Sequence, residues 1–385
     1  MKVAFVSNYY NHHQAPFAKE MDELTHHEFR FIETLPMEDE RRKMGWGAES
    51  KPEYVLQSYS DKVSYRQCQG IINEADVVIW GSCPFRMIRP RLRRKKLTFA
   101  YSERLFKGGN QGIAYWGRAL KYFCRLAPYQ KNHYLLCASA YAAGDYARIG
   151  LFRGKALKWG YFPETKTYDL AALFERKRAN RRPVILWVAR FIGWKHPEVA
   201  VELAEKLKQA GYAFDLNMIG SGKLEEQIRR MIREKKLDDC VHMLGTMSPE
   251  EVRRHMEEAN IFLFTSDQNE GWGAVLNEAM NSGCAVVANE AIGSVPFLIA
   301  KGKNGKVYHS LEEAYICIVD FLRDMKTCEN VGRLAYLTIT DQWNAKIAAL
   351  KLMQIVNFDA SGQCKLDCNN VGLCSKSIAN SQKRW

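Results

Sequence analysis

Short apolar runs recur along the chain, each closed by polar or glycine residues and followed by a stretch long enough for a helix. Lys2 to Ser7, Phe29 to Glu33, Ala75 to Trp80, Leu97 to Tyr101 and Tyr134 to Cys137 read as buried strands. Pro16 to Leu24 reads as a helix, and the charged, glycine-containing residues 36 to 53 as a loop excursion. A second series opens after the first. It has strands at Pro183 to Ala189, Phe214 to Ile219, Val241 to Leu244, Ile261 to Thr265 and Ala285 to Val287. Helices fit at Pro197 to Ala210, Leu224 to Lys235, Pro249 to Glu258, Ala274 to Met280, Glu312 to Thr327 and Trp343 to Ile355. Strands alternating with helical spans predict parallel α/β organisation.

Between Gly160 and Pro183 the pattern gives way to Gly, aromatic and Pro residues and then to the charged run ERKRANRR. The division expected is a first α/β domain over 1–165, a linker over 166–182 and a second domain over 183–342. A returning helix follows over 343–358 and a tail over 359–385. A chain of 385 residues has room for two such domains. Two α/β halves imply a cleft, with ligands at the carboxyl ends of strands.

Charge narrows the partner. Lys and Arg number 56 against 43 Asp and Glu, a net +13 that favours an anionic ligand or surface. No run approaches 18 apolar residues, so no membrane-crossing helix is expected, and the opening MKVAFVSNYYNHH reads as a buried strand rather than a signal peptide. Eleven scattered Cys suggest reduced thiols and a cytoplasmic protein. Cys364, Cys368 and Cys374 lack an evident fourth ligand, so 359–385 reads as an irregular or docked tail with no metal. No GxxxxGK[ST] motif and no nucleic-acid-binding signature is present.

The most informative run is TSDQNEGWGAVLNEAMNSG, Thr265 to Gly283. It leaves a strand, turns through glycines and enters a helix near Ala274, setting Glu270 before the helix and Glu278 inside it. Gly271 and Gly273 permit close backbone approach, and early helix N–H groups suit ligand oxygens. The E-x7-E spacing of Glu270 and Glu278, with AMNSGCAVVAN after it and Gly293 and Gly305 beyond, resembles the retaining, nucleotide-sugar-dependent glycosyltransferases of family four. That resemblance implies a GT-B fold, two Rossmann-like domains facing a central cleft. It also implies that Glu270 approaches the donor sugar and Glu278 the nucleotide ribose. Trp272 stands where Phe is more usual, and Asn277 where an apolar or small residue is more typical.

Arg190 and Lys195 resemble the family's basic pair for the donor diphosphate, which bidentate and point-charge contacts would suit. Gly220-Ser221-Gly222 resembles the next donor-side loop, although such a turn is common on its own. The resemblance spans about 184 to 309. In the first domain, Asn8, His12 and His13 replace the family's common double-glycine turn; the histidines read as structural or exposed, or as cleft residues. Tyr101-Ser102-Glu103 occupies a strand end where related enzymes sometimes carry a catalytic His. Glu103 reads either as orienting an acceptor hydroxyl or as part of a helix-capping region. Ser139 reads as a phosphate contact or as an N-cap.

Arg86 to Lys96 holds seven Lys and Arg with Met87, Ile88 and Leu92 among them. It reads as a peripheral contact with an anionic membrane, extended by KYFCRLAPYQKNHY at 121 to 134, or as a solvated helix face. The resemblance as a whole implies a retaining glycosyltransferase that needs no metal. It would take a hexose or N-acetylhexosamine from a nucleotide diphosphate sugar, UDP-sugar before GDP-sugar, and pass it to a glycan or polyprenyl-linked acceptor. Such an enzyme belongs in the cytoplasm, at the inner face of the cell membrane, in a surface-glycan pathway. The alternatives are a noncatalytic nucleotide-sugar or carbohydrate-binding protein and a sugar-nucleotide epimerase.

Overall fold

The computed structural model describes residues 1–38, 51–107, 112–358, 364–366 and 372–377. Its two compact units are Met1–Glu164 with Asn344–Trp385, and Thr165–Trp343. Among the described residues the first unit builds one sheet of seven strands: β1 (Val3–Ser7), β2 (Phe29–Glu33), β3 (Val55–Gln57), β4 (Val77–Trp80), β5 (Thr98–Ser102), β6 (His133–Cys137) and β7 (Ala156–Lys158). They pair in parallel in the order β3-β2-β1-β4-β5-β6-β7. A parallel sheet is covered on both faces, which is why β1 is apolar at both parities. Ala4 and Val6 pack with Ile72, Met87, Ile88 and Leu92. Phe5 turns the other way, its ring 5.1 to 6.2 Å from those of Phe31, Tyr101 and Phe17.

The second unit is a parallel sheet of β8 (Val184–Val188), β9 (Asp215–Ile219), β10 (Val241–Gly245), β11 (Ile261–Phe264), β12 (Ala285–Asn289) and β13 (Lys306–Tyr308). Their order is β10-β9-β8-β11-β12-β13. The order reverses between β8 and β11, the kind of point where open α/β sheets receive ligands. One core gathers Ile185, Trp187, Val201, Met218, Ile228, Leu263 and Val287.

Several elements depart from the sequence pattern. The expected linker 166–182 contains the helix Leu170–Arg178, capped by Asp169, whose side chain accepts from Ala171 N (2.8 Å). Leu173 and Phe174 are buried, and Lys177 turns inward to donate to Met256 O at 2.8 Å. The single helix expected over 312–327 is two, Leu311–Arg323 and Met325–Asp341. They part at Asp324, whose carboxylate accepts from Thr327 N at 3.0 Å. The basic connection before β5 is a helix, Phe85–Arg93, that keeps Pro90 inside it. Lys62–Glu74 is a further helix, and β3, β7 and β13 are strands that the pattern did not announce.

The last long helix is Ala345–Ile355, shorter than 343–358; it belongs to the first unit and packs on the helix Ala15–Leu24. Val356–Phe358 then pairs with Cys364–Leu366. Residues 372–377 run along the edge strand β7, with Lys158 N donating to Ser375 O and Ser377 N to Ala156 O, both at 2.8 Å. Cys374 is buried there, while Cys368 and residues 39–50 of the expected excursion lie outside the described residues. No helix among the described residues is long and apolar enough to cross a membrane.

Candidate active site

The turn after β8 carries Arg190 and, through the short 3-10 segment Gly193–Lys195, delivers Lys195. The turn after β11, at the neighbouring strand end, delivers Glu270. The Lys195 ammonium and the Glu270 carboxylate form an ion pair, with side chains only 12% and 11% exposed. Ser266 Oγ donates to the same Glu270 oxygen at 3.0 Å. The Lys195 backbone is fixed as well: Thr265 Oγ1 donates to its carbonyl at 2.6 Å and itself accepts from the buried Trp187 Nε1 at 2.8 Å. Trp194 lies between the two cations, its ring 4.3 Å from Lys195 Nζ and 5.9 Å from Arg190 Cζ. Arg190 itself is exposed.

Gly220-Ser221-Gly222 is more than a common turn. Gly220 has φ +135°, and a Cβ there would stand 2.0 Å from Ala189 O; one at Gly222 would stand 2.6 Å from Phe191 O. The loop lies backbone to backbone against the Arg190 turn, with Phe191 N donating to Ser221 O and Leu224 N to Phe191 O, both at 2.9 Å. Only glycine allows that approach. Gly273 is similar: at φ +84°, a Cβ would meet the Phe264 ring at 2.7 Å and Glu270 Cγ at 3.2 Å. Gly271 and Trp272 are buried beside it.

Ala274 caps the helix Val275–Asn281, which carries Glu278. The Glu278 carboxylate has no hydrogen-bond or ion-pair partner among the described residues; burial pushes its pKa up, and the charge of Arg253 pulls it back. Arg253 instead donates to the Glu278 carbonyl at 3.2 Å. The two departures noted in the sequence are in contact. Trp272, fully buried, donates its indole N–H to Asn277 Oδ1 at 2.8 Å.

Sequence reasoning overlooked His196 and Asp267. His196 follows Lys195 in a left-handed conformation (φ 50°) and starts the helix Pro197–Gln209. Its ring lies 3.3 Å from Asp267 and 2.7 Å from Glu198, and these hydrogen bonds raise its pKa to about 9. The signal available was a His-Pro pair directly after the basic turn, with an acidic residue three positions before Glu270.

Glu103 lies in the first unit, at the end of β5. Tyr161 Oη donates to it at 2.7 Å and Lys107 pairs with its other oxygen. The His13 ring stacks on Tyr161 at 6.0 Å, and burial, then His12, lowers the His13 pKa to about 3. No helix starts after Ser102; its hydroxyl donates to the Glu103 carbonyl at 2.8 Å and the next described helix is Ile113–Leu126. Ser139 Oγ accepts from Tyr141 N at 3.3 Å, a turn-closing contact just before the helix Ala142–Arg148. The basic run is divided. Arg93, Arg94 and Lys95 are exposed, but Arg91 is 0% exposed and donates to the carbonyls of Ile72, Ala75, Asp76 and Leu97 at 2.6 to 2.9 Å.

Residues 171–337 match the family described as glycosyl transferases group 1. This segment is a glycosyl transferases group 1 domain. The group 1 domain includes both switch-point turns, the glycine loop and the E-x7-E element, in keeping with the family-four resemblance carried by Glu270 and Glu278. The chain is 40% identical over 126 residues to AmsK of Erwinia amylovora, an amylovoran biosynthesis glycosyltransferase, covering 31% of each. It is 34% identical over 168 residues to WcaL of Escherichia coli K12, named for colanic acid biosynthesis, covering 40% of this chain and 41% of WcaL. The matches therefore span well under half of these relatives. Among solved structures, Anabaena HepE in complex with UDP superposes with a TM-score of 0.67 at 13% identity, covering 92% of this chain and 99% of that one. The fold around the group 1 domain is GT-B.

Proposed function

We propose that the protein is a retaining glycosyltransferase that moves a hexose or N-acetylhexosamine from a nucleotide diphosphate sugar to a hydroxyl of a glycan or polyprenyl-linked acceptor. The observation that carries this reading is the Lys195–Glu270 pair at the β8/β11 switch point of a group 1 domain, beside exposed Arg190. A UDP-sugar is the preferred donor and a GDP-sugar the second; UDP bound to HepE supports the first choice. The names of AmsK and WcaL support a place in polysaccharide biosynthesis.

Arg190 and Lys195 hold the diphosphate and neutralise charge as the sugar–phosphate bond breaks. The Gly220–Gly222 loop lets backbone approach the phosphates. Glu270 exchanges Lys195 for donor sugar hydroxyls, and Glu278, whose carboxylate is uncommitted, takes the ribose. Gly271, Trp272, Gly273 and Ala274 shape the turn between them. A donor phosphate oxygen accepts the acceptor proton on the face from which the leaving group departs, which preserves the anomeric configuration. Glu103, held by Tyr161 and Lys107, positions the acceptor hydroxyl.

The test is mass-resolved product formation from pooled UDP- and GDP-sugars with lipid-linked and soluble acceptors. Glu270→Ala should lower kcat on the order of 10²-fold or more with nucleotide binding largely kept, whereas Arg190→Ala should weaken nucleotide binding too. Wild-type activity in both variants would remove the assignment.

A further inference from the structure

The helix Ile113–Leu126 is apolar on two sides. One side is seated: Ala119 and Leu126 are buried, the Tyr115 ring lies 4.5 Å from Phe106, and that of Tyr122 lies 6.3 Å from Tyr146. The other side is a stripe at helical spacing, Ile113, Trp116, Leu120 and Phe123, and these are 93%, 69%, 64% and 46% exposed. No other helix among the described residues leaves four large apolar side chains in water. Single exposed apolar residues are ordinary; a continuous stripe marks a surface meant to be covered.

The charge around the stripe says by what. Exposed Lys121 borders it, while on the side beyond Lys121 the Arg118 guanidinium donates to Leu105 O at 3.1 Å and that of Arg125 sits 4.4 Å over the Phe85 ring, joining this helix to the basic helix Phe85–Arg93. Arg89 Nε donates to Tyr129 Oη at 3.2 Å across the same seam. Residues 77–144 contain thirteen Lys and Arg and a single acidic residue, Glu103, which Lys107 already engages; nearly the whole +13 of the chain resides there. A second copy of the chain would bring the same positive field against itself. Nucleic acid would satisfy the charges but not four large apolar side chains. An anionic bilayer satisfies both: the ridge enters the headgroup–acyl boundary, where Trp is favoured, and exposed Lys121 with exposed Arg86, Arg93 and Arg94 of the adjoining basic run meets lipid phosphates.

We infer that the Ile113–Trp116–Leu120–Phe123 stripe docks the first unit onto an anionic lipid surface. The surface overlaps the 121 to 134 extension read in the sequence and moves the apolar contact away from Arg86 to Lys96. Arg86 to Lys96 supplies charge, but its apolar residues Met87, Ile88 and Leu92 are buried and Arg91 is spent on backbone carbonyls, so it has nothing to insert. The inference does not depend on the chain transferring sugar, and lipid binding is read without turnover.

The experiment is flotation of the full chain with vesicles of phosphatidylcholine alone and of phosphatidylcholine mixed with phosphatidylglycerol. Wild-type protein should float with the mixed vesicles and bind neutral ones about tenfold more weakly, the gap shrinking with added salt. Trp116→Ser with Leu120→Ser should reduce binding to mixed vesicles about tenfold with an unchanged thermal unfolding midpoint, since both side chains are already in water. Lys121→Glu, which leaves the stripe intact, should weaken it severalfold. Equal flotation of the wild type and the stripe variant would overturn the inference. So would absence of flotation, or a wild-type dimer that the stripe variant dissociates, which would assign the ridge to a second copy.

Discussion

The indole N–H of Trp272 and the side-chain carbonyl of Asn277 satisfy each other at 2.8 Å inside the core of the second unit. A Phe at 272 would ask nothing of position 277, whereas a buried Trp needs an acceptor. Asn277 supplies that acceptor.

Asn277→Leu should therefore destabilise the protein by about 1–3 kcal/mol, because it strands a buried donor. Trp272→Phe combined with Asn277→Leu should cost much less than the two changes added. Denaturant unfolding of the two single variants and the double variant measures that coupling; strict additivity would show that the contact carries no energy.

Glu278→Gln should act in opposite directions on folding and on binding. Burial raises the carboxyl above its ordinary pKa of 4.5, so between that value and the raised one the folded protein retains more of the proton than the unfolded chain does. This contribution favours folding at low pH and fades as pH rises from the unfolded value through the raised one. At neutral pH the amide should raise the unfolding temperature while weakening UDP or GDP binding. Calorimetric titration beside thermal unfolding tests both halves, and tighter nucleotide binding in the variant would contradict the ribose role.

His196 contributes stability that alkali removes. Its folded pKa, about 9, lies above its ordinary 6.5 because Asp267 and then Glu198 hydrogen-bond the imidazolium. The stabilisation is complete below 6.5 and is lost as pH rises through about 9. The difference in denaturant midpoint between the wild type and His196→Asn should accordingly narrow between pH 6.5 and 9.5 or so. Asp267→Asn should move that narrowing to lower pH. A difference independent of pH would show that the imidazolium is not held as described.

The sheets were legible because parallel strands buried on both faces, such as Val3–Ser7 and Ile261–Phe264, are compact apolar runs. Leu170–Arg178 was not, since its dense charge reads as solvated linker; Lys177 reaches carbonyls some eighty positions away, and no local pattern carries that contact. For Phe85–Arg93 the sequence left helix and loop both open, because Pro90 is an ordinary helix breaker. At the candidate site the spacing of Glu270 and Glu278 and the basic pair were readable because they are local. The ties that hold them were not: Thr265 to Lys195, and the glycine loop against Ala189 and Phe191, join turns from different strands.

The ion pair between Lys195 and Glu270 gives the site a kind of coincidence logic. Each charge is the other's substitute ligand, so an arriving molecule must replace both at once or leave one poorly solvated ion behind. Pyrophosphate can engage the lysine but offers the carboxylate no hydroxyls; a free sugar does the reverse. On the proposed donor roles, calorimetry should find that pyrophosphate and monosaccharide each bind weakly and that only their covalent union, in a nucleotide sugar, binds well. Discrimination against the cell's abundant fragments would then arise from two side chains that pair with each other.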